Sequence, residues 1–185
     1  NTKGFVGLII AGVLSLIVAL GALGFFQFYQ TADNLYNKGN IFGEVPMKDE
    51  AVTAVKITGY AENPIATIDG GTKLYLIEFS KSDNDDYGYA SLEVKEGDKL
   101  IEKLKSTDDL VANPVIVAAK MRKSGADGAV RNYTSEFKAT IRENETISKL
   151  AETEYYVSVY EFDKDRQFAY IVAGIAGIIA LVFFF

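Results

Sequence analysis

Two long uncharged stretches stand near the ends of the chain. No charged residue occurs over residues 5–28 or over residues 168–185. A helix of 24 residues rises about 36 Å, which exceeds a hydrocarbon core of about 30 Å. A cleavable signal peptide would have an apolar region of only about 7 to 15 residues. The pattern therefore predicts two transmembrane helices, over 1–29 and 168–185.

The segment between these stretches begins with helical character and then changes period. Residues 30–50 are expected to form a helical extension and a linker, because Gly39 can end a helix and Pro46 favours irregular backbone. From residue 51 apolar residues alternate, which is typical of strands. The predicted strands cover 51–60, 64–68, 72–80, 87–95, 113–123 and 155–162. Asp69-Gly70-Gly71 predicts a hairpin between the second and third strands.

Helices are predicted late in this segment. Asp98 can cap a helix over 99–105, and 146–152 is expected to form another. The apolar spacing over 130–141 favours a helix, although its second half also alternates like a strand. The expected fold is a membrane-anchored α+β protein, with two transmembrane helices flanking a small antiparallel β-rich domain over 51–167. Because a small sheet must manage its edges, we expect an OB-like, partly open barrel.

The order of elements resembles a known organisation. The anchor, linker, hairpin, TKLYLIEFS (72–80), YGYASLEVK (87–95), capped helix, NPVIVAAK (113–120) and second anchor follow one another. This order resembles small bacterial two-span membrane proteins of unknown function that carry an OB-like domain between the spans. The resemblance covers most of the chain and implies a membrane location, without implying an activity or any site residue.

Small residues recur at every fourth position in both apolar stretches. They are Gly7, Ala11, Ser15 and Ala19 in the first stretch and Ala169, Ala173 and Gly177 in the second. Such spacing predicts close helix packing, either between these two helices or against a membrane partner or second copy. The alternative is that Gly and Ala are simply frequent in membrane helices.

Charge and composition exclude several function classes. Lys3 is the only charged residue outside 30–167, so that segment holds 18 Lys and Arg against 25 Asp and Glu, a formal charge of −7. This balance argues against nucleic acid as a partner. Without Cys, His or Trp, the chain has no disulfides, no thiolate or imidazole metal ligands and no His-activated nucleophile. We predict no catalytic residue, no cofactor and no metal site.

Several motifs have simpler readings than the functions they suggest. An EF-hand starting at Asp83 would need Glu at its twelfth position and has Val94, so the acidic run 83–86 is interpreted as a solvated turn. Formal glycosylation sequons at Asn132 and Asn144 are interpreted as chance matches. The basic cluster 120–123 is interpreted as charge guarding a strand edge.

Tyrosines near the second anchor are candidate interface residues. The chain has 11 Tyr, and those of the last predicted strand are Tyr155, Tyr156 and Tyr160. Tyr supplies amphipathic contact area at protein interfaces, and half-buried strand packing is the alternative.

These patterns favour a non-enzymatic accessory or assembly subunit that docks on a larger membrane complex. We predict a two-pass protein of the cell membrane. With Lys3 as the one visible flanking charge, the positive-inside rule predicts that its termini are cytoplasmic and its main domain is extracytoplasmic. Because spans normally have polar flanks, we expect further residues beyond one or both ends. The alternative is an extracytoplasmic binding module for a small ligand or envelope polymer, and an envelope enzyme using carboxylates ranks third.

Overall fold

The chain divides into two compact units. A computed structural model describes residues 2–68, 70–83, 85–125 and 133–184. One unit, here called the helical unit, combines 1–31 with 163–185, and the other, the barrel unit, covers 32–162.

The helical unit is an antiparallel pair of helices. It holds α1 (Thr2–Gly24), a π-helical turn (Phe25–Tyr29) and the part of the last helix, Val159–Phe184, that follows residue 162. Ala19 packs against Ala173 and Ala176, and the rings of Phe26 and Tyr170 meet edge to face at 6.2 Å between centroids. Small side chains at this contact let the two backbones approach closely.

Large apolar side chains point away from this contact. In the most apolar stretch of α1, only 11% of the residues are buried. In the corresponding stretch of the last helix, 17% are buried. A core helix of a water-soluble protein would instead be mostly buried. By length and composition, both helices are suited to cross a membrane.

The helix pair can be tested by cross-linking, because the chain has no native Cys. We expect the double variant Ala19→Cys/Ala173→Cys to form an intramolecular disulfide on mild oxidation, since both residues are buried in one cluster. Non-reducing electrophoresis of the full chain after protease cleavage in the barrel unit measures the cross-link.

The matched control is Ala19→Cys/Gly174→Cys, because Gly174 is exposed with nothing within 4 Å of an added Cβ. Equal cross-linking of the two pairs would contradict this packing.

The barrel unit contains six strands and most of the remaining helices. In chain order these are α2 (Ala32–Asn37), β1 (Val52–Tyr60), β2 (Ala66–Ile68), β3 (Thr72–Ser80), β4 (Tyr87–Lys95), α3 (Lys99–Ser106), β5 (Val115–Lys123), α4 (Tyr133–Ile141), α5 (Glu145–Leu150) and β6 (Tyr155–Ser158). The last helix, α6 (Val159–Phe184), starts directly after β6.

Five strands close into a barrel. The strand order is β1-β5-β6-β4-β3, and β1 pairs again with β3 to complete the ring, while β2 extends from β3. All these pairings are antiparallel except β4 with β6. A register shift between Ile57 and Gly59 bends β1 from β5 toward β3. The α+β barrel is confirmed, and it is closed where we expected it to be partly open.

The barrel interior is filled by apolar side chains from every strand of the ring. Phe42, from the segment expected to be an irregular linker, is fully buried and meets Phe79 with 4.7 Å between ring centroids. Residues 40–42 also pair with Ala54 through backbone hydrogen bonds. The linker is therefore part of the barrel unit. Other core members are Val55, Ile57, Ile77, Leu92, Val94, Leu104, Val115, Met121 and Val157.

Most predicted elements are confirmed, and two boundaries are wrong. The Asp98 side chain accepts a hydrogen bond from Leu100 N at 2.8 Å and caps α3 as predicted. The hairpin glycines Gly70 and Gly71 have positive φ, whereas Asp69 lies outside the described residues. The last strand ends at Ser158 and 159–162 is helical, so the predicted strand 155–162 is half correct. The helical extension is a separate helix, α2, rather than a continuation of α1.

Leu92 provides a test of the barrel core. We expect Leu92→Ala to lower the free energy of unfolding by about 2–5 kcal/mol, because a fully buried side chain leaves a cavity. Leu150→Ala is the matched control, since Leu150 is 40% exposed and its change should cost less than about 0.5 kcal/mol. Denaturant unfolding of the full chain in detergent compares them, and equal losses would contradict the assigned core.

Candidate functional site

The outer face of the barrel carries a buried polar network. Strand alternation turns every second side chain outward. Glu93 of β4 lies opposite Ser158 of β6, and Arg122 of β5 lies opposite Tyr156. Polar side chains on three neighbouring strands therefore meet on one face.

Glu93 occupies one end of this network. Its carboxylate accepts hydrogen bonds from the hydroxyls of Ser158, at 2.5 Å, and Thr72, at 3.1 Å. All three residues are at least 96% buried. The Ser158 hydroxyl also accepts a hydrogen bond from the backbone N–H of Glu161 at 2.9 Å. Ser158 thus links Glu93 to the first turn of α6.

Arg122 occupies the other end. Its guanidinium is almost fully buried and donates hydrogen bonds to two carboxylates, from Nε to Asp49 Oδ1 at 3.0 Å and from Nη1 to Glu161 Oε1. Asp49 also accepts from the backbone N–H of Lys123 at 2.9 Å. One side chain of β5 therefore holds both the segment before β1 and the first turn of α6. We call Asp49, Arg122 and Glu161 the arginine clasp.

The two carboxylates of the arginine clasp have opposite electrostatic surroundings. Burial raises the pKa of Asp49, but hydrogen bonds from Lys123 and Arg122 outweigh burial and hold that pKa below its usual range. Burial raises the pKa of Glu161 above its usual range, and Arg122 offsets this only in part because Glu93 repels the charged form. Burial lowers the pKa of Arg122, but the two carboxylates outweigh it, so Arg122 stays charged.

The predicted packing residues lie in different environments of the helical unit. Ala19 and Ala173 are buried in the helix contact, and Ala11, Ser15, Ala169 and Gly177 are half-buried. Gly7 is exposed, with nothing within 4 Å of an added Cβ. An apolar groove of about 370 Å³ between the two helices is lined by seven residues, including Ser15 and Ala176.

The other candidates lie in different surroundings. Tyr156 is 2% exposed and packs with Leu74, while Tyr155 and Tyr160 are half-buried. The Asp83 carboxylate accepts from Asp85 N within its own turn. Asn144 caps α5 by accepting from Ile147 N, and Asn132 lies outside the described residues.

Sequence reasoning missed the arginine clasp. The interpretation of the basic cluster 120–123 as charge guarding a strand edge is wrong, because β5 is paired on both sides, with β1 and with β6. Alternation alone places Arg122 and Lys120 on one face, yet neither Asp49 nor Glu161 is near them in sequence. Among the described residues, no group of three carboxylates is arranged to hold a metal ion.

Comparisons with known proteins do not identify a family. No protein-family model, curated protein or solved structure matches this chain.

Arg122 provides a test of the site. We expect Arg122→Met to lower the free energy of unfolding by about 3–5 kcal/mol at pH 7.5, because two carboxylates lose their buried cation. The matched control is Arg142→Met, since Arg142 is exposed. Denaturant unfolding of the full chain in detergent measures both, and a loss no larger than the control's would show that the clasp is not a structural requirement.

Proposed function

We propose that the protein is a non-enzymatic, membrane-anchored accessory subunit that docks on a larger membrane complex. The main support for this proposal is the exposed apolar surface of the two long helices. Side chains such as Phe5, Ile17, Phe168 and Ile178 are each at least 59% exposed. Water-soluble monomers rarely expose contiguous apolar patches larger than a few hundred Å². A bilayer, and helices of a partner within it, would cover this surface.

Small residues outside the intramolecular contact support docking within the bilayer. Gly7 and Gly174 are exposed and have nothing within 4 Å of an added Cβ. In lipid, helix association relies on close backbone approach rather than on a hydrophobic driving force. These open positions are suited to a further helix from a partner or from a second copy.

The barrel supports a role in contact rather than in chemistry. Its interior is filled with apolar side chains, and Glu93, Arg122 and Glu161 are engaged with one another and with neighbouring strands. We assign the ring to the OB type on its five-strand Greek-key order. We further propose that the termini lie in the cytoplasm and the barrel outside it, which Lys3, the one flanking charge, supports under the positive-inside rule.

Association in the membrane tests this function. We expect the tagged full chain, cross-linked in native membranes and extracted in mild detergent, to co-purify with a membrane protein at fixed stoichiometry. Gly7→Leu should reduce the yield of this complex by roughly tenfold, because a bulky side chain prevents close helix approach. Val6→Leu is the matched control, since Val6 is an exposed neighbour that already carries a bulky side chain.

A differently tagged second copy distinguishes self-association from a foreign partner. A monomer without partners after cross-linking would refute the subunit role and favour the alternative, an extracytoplasmic module that binds a ligand or envelope polymer.

A further inference from the structure

Glu161 is surrounded by charged and titratable groups from several elements. Strand β5 contributes Arg122 and Lys120, and strand β4 contributes Glu93. Asp49, before β1, shares the same guanidinium, and Tyr156 of β6 adds to the electrostatic surroundings of Arg122. Three carboxylates thus face two cations in a site largely withdrawn from water.

One oxygen of Glu161 is left without a hydrogen bond. Oε1 accepts from Arg122, whereas Oε2 is buried and has no hydrogen-bond partner among the described residues. A buried carboxylate oxygen without a donor is costly when the group is charged. A proton bound at Oε2 removes the cost of a buried charged oxygen that has no donor, and it leaves Oε1 available to accept from Arg122.

We propose that Glu161 is a proton-binding site that couples proton uptake to the docking of the first turn of α6 on strand β5. In the undocked state Glu161 would be solvated, and in the docked state it lies beside Glu93 and Arg122. The state that binds the proton more tightly is favoured by protonation. Acidification therefore tightens the docking, and a rise in pH loosens it. The inference holds whether or not the protein docks on a larger complex.

Protonation stabilises the state in which Glu161 has the higher pKa. The pKa of Glu161 is raised in the folded chain, so the docked state is favoured below that raised pKa and loses stability as the pH rises through it. Asp49 behaves oppositely. Because the pKa of Asp49 is lowered in the folded chain, its charged carboxylate stabilises the fold at pH values above 3.8, the ordinary pKa of an aspartate. This contribution disappears as the pH falls through the lowered pKa. Docking is therefore tightest in mild acid, with Asp49 charged and Glu161 neutral.

Hydrogen exchange of the full chain in detergent tests the proposal. After correction for intrinsic exchange rates, we expect the amides of 159–162 to be better protected at pH 5.0 than at pH 7.5. Glu161→Gln, which mimics the neutral form, should show the same high protection at both values. The control Glu143→Gln should keep the wild-type dependence, because Glu143 is exposed.

Asp49→Asn separates loss of the clasp from loss of the proton site. It should lower protection of 159–162 at both pH values while retaining the difference between them, because Asp49 holds Arg122 but not the proton. Equal protection of the wild type at both pH values would overturn the proposal. A pH dependence that persists in Glu161→Gln, or unfolding of that variant at pH 7.5, would also overturn it.

Discussion

The barrel depends on β1 pairing along both of its edges. Residues 52–57 pair with β5 along one edge and residues 56–60 pair with β3 along the other, with a register shift between Ile57 and Gly59 that bends the strand. A sheet this small would otherwise leave rows of unpaired N–H and C=O groups. Closure also determines where side chains lie. Because side chains alternate along each strand, half of them point into the filled apolar interior and half point to the outer face.

Polar groups on that outer face are stable only because they are both covered and partnered. The segment before β1 and the first turn of α6 contribute Asp49 and Glu161, which meet the guanidinium of Arg122. The buried guanidinium of Arg122 would cost several kcal/mol without a partner, so the covering segments and the hydrogen-bond acceptors they carry are required together. The clasp therefore joins parts of the chain that are separated by more than a hundred residues.

The predictable parts of the fold are those specified by local signals. Strands over 72–80 and 87–95 match prediction because alternation and turn residues act over a few positions. The end of β6 is harder to predict, because YYVSVYEF alternates like a strand beyond Ser158. A local helix-start signal is nonetheless present, since Ser158 stands three residues before Glu161 and its hydroxyl accepts from the Glu161 N–H, as at a helix N-cap. The environment of Arg122 has no such local signal, since strand order is a property of the closed ring and not of residues 120–123.

The direct junction of β6 with α6 has a mechanical consequence. β6 pairs with β4 at two register positions, Leu92 with Val157 and Glu93 with Ser158, and with β5 at four. α6 follows β6 without an intervening loop. Tension along α6 would therefore act on these two short pairings before it reached the nine-pair pairing of β3 with β4. The Ser158–Glu93 hydrogen bond and the arginine clasp reinforce β6 on the outer face, so β6 is the strand of the barrel that would bear the load first.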